Sequence, residues 1–337
     1  MKTLAVVCLL LVQTAVLCAQ QGMPEVTTQV PDDLTTISKE YPAWLLRNWG
    51  RSAREDRRIS DAFLLLNRSL EKDPNNPETL TELALTYFAS NDVQQATFNL
   101  ERALNNRARL SSKDLEFSIL YELSDIYRNG NEYILDYERI LRDIVAQDPA
   151  FTGSDEFSEN LKKGIIDTLN EGTHRGYNSS LDRVVTLYRL EDSFSLKAHV
   201  ELGVFYVHSG RYMEAQEHLI FAVLKMYTRL ISQIRENDPV YAFEGSREFF
   251  QRIARRPSYL EYLQESGFDQ ALYYLGSASY GSNTGRSGVY RGIWNTVQQL
   301  PFDTVYKARA SRQLENPALE NILYGSRQYQ NEVNNRN

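Results

Sequence analysis

The residue types able to make or break bonds are scarce in this chain and poorly spaced for the task. There are four histidines, His174, His199, His208 and His218, and two cysteines, Cys8 and Cys18. None of the histidines stands in HExxH or at another zinc-site spacing, where several ligands must converge on one point. His199 and His218 can meet, because they fall on the two helices of one unit, yet two nitrogens without a further ligand make a weak site. No GxSxG elbow occurs, so an activated hydroxyl nucleophile has no support. The stretch GSNTGRSG at 281–288 falls short of a phosphate cradle, which needs four residues between its glycines, then lysine, and a strand before it. Here three residues separate Gly281 from Gly285, and Arg286 stands in place of the lysine. An enlarged turn between two helices is the reading. Carboxylates are plentiful, but no pair is set apart by its surroundings. The expectation is a protein without catalytic residues, metal or cofactor.

What the sequence does organise is the size of its apolar residues. Over 77–110, Leu80, Leu83, Ala84, Tyr87, Ala96, Leu100 and Ala103 recur at offsets that 196–229 repeats with His199, Leu202, Gly203, Tyr206, Ala215, Leu219 and Ala222. Small residues let two helix backbones approach, and large ones fill the gaps between them. A helical pair of this kind cannot bury its apolar face alone, so the period implies stacked units. Such stacks bind other molecules more often than they transform them.

The segments ELALTYFASNDVQQATFNLERAL (82–104) and VELGVFYVHSGRYMEAQEHLIFAVL (200–224) resemble the tetratricopeptide repeat family, with His199 standing where a bulky apolar residue is usual. Weaker copies extend the pattern. Ala62 and Leu66 lie 34 residues before Ala96 and Leu100; Leu120, Leu123, Ser124 and Tyr127 repeat a first helix; Ile140 and Ile144 follow on a second. Leu181, Val185 and Tyr188 take second-helix positions, and 268–280 and 288–301 read as a further pair. Pro74, Pro77, Pro149, Pro239, Pro257, Pro301 and Pro317 fall between these periodic segments, where a missing N–H does least harm. No two-residue alternation bounded by hairpin dipeptides supports a strand. The predicted fold is all-α, a right-handed α-α superhelix of about six helical pairs, some irregular, as the resemblance implies. From Met213 to Glu236 the helical period runs on beyond the usual second helix and must cover something, most simply the irregular 240–266 segment.

The resemblance also implies a groove lined by first helices. Matched positions give Glu82, Leu85 and Phe88 in the first strong unit, Tyr121, Glu122, Asp125 and Arg128 in the next, and Glu201, Val204 and His208 in the third. Members that clasp a peptide C-terminus use basic and amide residues at these places. Here Lys197 alone matches, so carboxylate capture is not expected. An acidic and aromatic groove suits an extended segment bearing Lys or Arg, or an apolar helix.

Composition sets the surroundings. The first residues, Met-Lys, then LAVVCLLLV, then small residues to Ala19, have the charged, apolar and cleavage regions of a secretory signal. The apolar run is broken by Gln13 and Thr14, short of the roughly 20 residues of a membrane span. The expected organisation is a signal peptide at 1–19, a flexible leader at 20–40, the helical solenoid at 41–324 and a disordered polar tail at 325–337. Removing 1–19, which holds one lysine and no acid, takes the formal charge from −7 to −8. An acidic protein without a basic footprint is a poor nucleic-acid binder. The basic run RSAREDRR at 51–58 reads as solvated helix face. The expected protein is therefore an exported scaffold, periplasmic or secreted, without a membrane span, that holds another envelope or secreted protein or peptide on its first helices; a second copy of the chain is a further candidate partner. The alternatives are a small-molecule-binding solenoid working with a transporter through its aromatic 268–300 region, and an outer-membrane assembly factor lipid-anchored at Cys18.

Overall fold

The computed structural model describes residues 41–129, 134–153, 156–172, 175–282 and 287–321. The signal, leader, Cys18, His174, the 283–286 part of the glycine turn and the polar tail lie outside these residues. Among the described residues there are sixteen α-helices and no strand. The chain divides into two compact units, one ending at Ser111 and the other beginning at Ser112.

The first unit holds α1 (Ala43–Glu55), α2 (Ile59–Lys72), α3 (Pro77–Ala89) and α4 (Val93–Asn105). Local chemistry sets the ends. Asn76 caps α3 by accepting the Thr79 N–H at 2.9 Å, Pro77 opens the helix, and Asp92 caps α4 by accepting the Gln95 N–H at 3.1 Å. The core is built from Leu45, Leu46, Trp49 and Ala53 of α1, Ala62, Leu65 and Leu66 of α2, and Leu83 of α3.

The second unit runs through α5 (Lys113–Asn129), α6 (Ile134–Val145), the short α7 (Pro149–Thr152), α8 (Glu156–Asn170), α9 (Ser180–Leu187), α10 (Leu196–His208) and α11 (Tyr212–Asn237). It continues with α12 (Ser246–Ile253), α13 (Pro257–Glu265), α14 (Phe268–Gly281), α15 (Ser287–Gln298) and α16 (Val305–Glu315). Among the described residues, helices of this unit pack as α5 on α6, α8 on α9, α10 on α11, α14 on α15 and α15 on α16, and those of the first unit as α1 on α2 and α3 on α4, the helical pairing expected of tetratricopeptide-like repeats. Close approach depends on absent side chains: a Cβ at Gly203 would overlap Leu219, and one at Gly276 would overlap the Trp294 ring. The turn between the paired helices repeats too. Asn91 and Gly210 hold the same position in their units, and both take left-handed φ, 64° and 76°. Asparagine and glycine are the residues that tolerate this conformation best.

Helix α11 spans 26 residues. Its extra turns bury their stripe inside the chain, with Tyr227 packed against Phe243, Phe249, Phe250 and Phe268 at ring separations of 5.0–6.2 Å. This places the 238–267 segment, expected to be irregular and carrying the short α12 and α13, as a cover over the long helix.

Candidate functional site

In the first unit, the acidic residues on the first-helix face are already matched by arginines. Arg47 pairs with Glu78, and Arg51 and Arg54 both pair with Glu82, the latter at 3.0 Å. Glu82 is 4% exposed, so its charge is held by the two guanidinium groups and not offered to solvent. Glu78 also accepts from Ser111 Oγ at 2.6 Å. Burial pushes the Glu78 carboxyl upward, but Ser111 and the neighbouring arginines outweigh it and hold it below its ordinary value. The arginines of the 51–58 run, expected to be solvated, thus form a ladder between successive first helices. A signal for it existed: Arg47–Glu78 and Arg51–Glu82 are each separated by 31 residues, one helical turn short of the repeat. What this face presents outward includes apolar side chains beside the half-exposed Arg51. Leu85 is half-buried and Phe88 is 48% exposed.

The second unit repeats the logic between α5 and α10. Lys197 Nζ lies 3.0 Å from Asp125 and 3.7 Å from Glu201, while Arg128 reaches Asp125 at 3.3 Å and Glu201 at 3.6 Å. Tyr137 donates to Glu201 at 3.0 Å. Burial raises the Glu201 pKa, and the opposing pull of Lys197 and Arg128 does not fully cancel it. The Tyr121 hydroxyl donates to the Phe194 carbonyl at 2.5 Å and accepts from the Ala198 N–H at 3.2 Å. Tyr121 therefore stitches α5 to the start of α10, and the Lys197 ammonium lies 5.0 Å from its ring centre. Glu122 is half-buried on the same helix. Val204 and His208 are buried, the latter with Nε2 3.1 Å from the Tyr274 hydroxyl of α14. The structure thus brings Tyr121, Asp125, Arg128 and Glu201 into one network and turns His208 inward. Of the acids read as groove charges, Glu82, Asp125 and Glu201 have cations of their own.

A second constellation lies inside the second unit. His199 and His218 place their Nδ1 atoms 3.0 Å apart, both buried. Behind them Lys225, 1% exposed, puts Nζ 2.8 Å from Asp148 Oδ2, and Asp148 is 2% exposed. Ser195 Oγ donates to the same carboxylate oxygen at 2.5 Å, and His199 Nε2 stands 3.5 Å from it. Lys225 also donates to Ser193 Oγ at 2.8 Å and to the Glu191 carbonyl at 3.2 Å. Burial would raise the Asp148 pKa, yet His199, Lys225 and Ser195 together hold it well below the carboxylate range. Burial lowers both histidine pKa values, and for His218 the neighbouring His199 and Lys162 add to the effect. The offset between paired helices brought the two histidines together in the sequence reading; Asp148 and Lys225 were missed. Lys225 interrupts the apolar run IFAVLKMY, the one mark it leaves.

This cluster knits α7, the 188–195 connection, α10 and α11, and its chemistry is that of a clamp. The place beside Asp148 where a cation would sit is filled by the Lys225 ammonium. Among the described residues no group of three or more His, Cys, Asp or Glu is arranged to hold a metal ion. Beside it, a cavity of about 260 Å³ is lined by Arg142, Phe151, Lys162, Tyr206, Glu217 and His218 among others. Lys162 and Glu217 neutralise each other at 2.7 Å, so the lining favours neither sign of ligand.

Comparison with known proteins agrees with the repeat architecture. Residues 65–98, from the middle of α2 into α4, match the family model for the tetratricopeptide repeat. The chain is also similar to an uncharacterized protein of Borreliella burgdorferi, 23% identical over 301 residues that cover 84% of this chain and 92% of the relative. Among the described residues no helix is long and apolar enough to cross a membrane.

Proposed function

The chain is a tetratricopeptide repeat protein, and from that premise we propose that it is an exported, non-catalytic scaffold that docks another envelope protein on its first-helix faces. The repeats suggest a protein-interaction role. The observation that carries the finer reading is the pairing of Arg51 and Arg54 with Glu82 beside an outward Leu85 and Phe88. Because the acids there are neutralised from within, the exposed side chain best suited to recognition on this face is the aromatic Phe88, next to Leu85. Exposed aromatics of this kind are the usual anchors of a docked segment. The partner segment is accordingly an apolar or aromatic one, and a Lys- or Arg-rich segment fits less well. Export rests on the charged, apolar and small-residue order of 1–19.

The test is site-specific photocrosslinking in the native host. A benzoylphenylalanine at position 88 should give a defined adduct with an exported protein. The same group at Gln94, exposed on the second helix, should give none. Equal adducts at the two positions, or none at 88, would refute the docking face.

A further inference from the structure

The residues that follow α16 lie on the second unit as a bound peptide would. Leu275 and Gly276 stand in α14 where Leu202 and Gly203 stand in α10, so Tyr273, Tyr274, Ser277 and Tyr280 occupy the places of Val200, Glu201, Val204 and Val207. These are the first-helix positions that would face a ligand, and here three of them, Tyr273, Ser277 and Tyr280, are taken up by 316–321, a segment without regular structure. The Glu320 carboxylate accepts from the Tyr273 hydroxyl, from Ser277 Oγ at 2.9 Å and from Arg309 Nη2 at 2.9 Å. The Tyr280 hydroxyl donates to the Pro317 carbonyl at 3.2 Å. Gln313 reads the Ala318 backbone from both sides, accepting its N–H at 2.8 Å and donating to its carbonyl at 3.2 Å. Arg309 is itself framed by the rings of Tyr273, Tyr274 and Tyr306, 4.7–5.5 Å from their centres. Main-chain contacts along an irregular segment, ending in one charge-assisted carboxylate pocket, are the features of peptide recognition. Ala318 and Leu319 are exposed, so side chains at those steps are not selected, whereas the Asn321 side chain accepts from the Tyr212 hydroxyl.

We propose that Tyr273, Ser277, Tyr280, Arg309 and Gln313 form a binding site for an extended segment of a partner protein with the pattern proline-x-x-glutamate, and that residues 316–321 of the chain itself hold the site closed. The proposal deepens the scaffold reading and rests on it, but names a different surface from Leu85 and Phe88. The tethered segment competes at the millimolar effective concentration typical of a short linker, so an outside ligand must displace it. The carboxylate carries the competition, since it holds three donors at once.

The test mixes full-length Glu320→Ala protein with the synthetic peptide Asn-Pro-Ala-Leu-Glu-Asn at about 1 mM, where ligand-observed NMR detects complexes of millimolar Kd. Saturation transfer to the peptide's proline and glutamate is expected, with an apparent Kd at least about tenfold tighter than for the wild-type chain. The signal should vanish for a peptide carrying glutamine in place of glutamate, and for the variant that adds Tyr273→Phe and Ser277→Ala. No transfer to Glu320→Ala protein of unchanged circular dichroism would overturn the proposal, as would equal transfer with the glutamine peptide. Should Glu320→Ala alter the helical spectrum, Glu320→Gln replaces it with the same readings. A crosslink at position 88 without peptide binding here removes this site and leaves the scaffold reading standing; peptide binding without that crosslink does the reverse.

Discussion

Replacing His218 by glutamine tests the buried histidine pair through the pH dependence of stability. His199 and His218 are both buried, and burial lowers both pKa values, so in the folded chain they resist protonation as the solution acidifies. In the unfolded chain each titrates near its ordinary value of about 6.5. The unfolded state therefore gains protons that the folded state does not, and stability falls as pH drops below that value. Between pH 7.5 and 5.5 each histidine withdraws about 1.4 kcal/mol, and the pair about 2.8 kcal/mol, provided the folded pKa lies below that window. Glutamine at 218 keeps a polar partner for His199 Nδ1 but cannot titrate, so the loss should halve. Two other groups act on the same curve. Glu201, with its raised pKa, contributes in the opposite sense above its unfolded value, and does so equally in both proteins. Asp148, with its lowered pKa, loses its contribution only as pH falls below about 3.9, outside the window. The assay is urea unfolding followed by far-ultraviolet circular dichroism at pH 7.5, 6.5 and 5.5. Equal pH slopes for wild type and His218→Gln would show that His218 is not held neutral in the fold.

Other perturbations probe separate parts of the account. Lys225→Met strands Asp148 without its cation and should cost about 3–5 kcal/mol, read as a lowered Tm that Asp148→Asn in the same chain partly restores. Gly276→Ala pushes a methyl into the Trp294 ring and should cost about 1–3 kcal/mol, with changed tryptophan fluorescence; an unshifted Tm would deny the close approach of α14 and α15. Glu82→Lys sets a third cation against Arg51 and Arg54 and should speed hydrogen exchange in α1 and α3, so any loss of partner capture in that variant reports on folding. Mass spectrometry of the exported protein should find Gln20 at its N-terminus; an acylated Cys18 would instead support the lipid-anchored alternative.

The repeat was legible in the sequence because it is written in side-chain size. Ala96, Gly203 and Ala215 mark places where backbones touch, Leu83 and Leu202 the gaps between, and a helix cannot hide that spacing. The long α11 was legible for the same reason, since its apolar period runs unbroken from Leu219 to Ile234. The electrostatics were less so. Glu82 and Glu201 read as groove charges because a single sequence shows an acid on a helix face but not which cation faces it from the neighbouring helix. Arg51 and Arg54 come from 28 to 31 residues earlier, and Tyr137 from 64 residues before Glu201. His208 was placed on an open face because the repeat pattern is silent about α14, which packs across α10 and takes that side chain inward. Asp148 and Lys225 meet only because α7 and the 188–195 connection break the regular period, and irregular segments leave no spacing to read.

The claim beneath all of this is that repeated helical pairs, with acids such as Glu82 neutralised from within, leave the aromatic Phe88 on a first-helix face to hold a partner protein. It is tested most directly by measuring the affinity of the protein crosslinked at position 88 for purified wild-type chain and for Phe88→Glu. The account predicts at least about tenfold weaker binding for Phe88→Glu, a change of about 1.4 kcal/mol, with the helical spectrum unchanged. Equal affinity of the two proteins would contradict it.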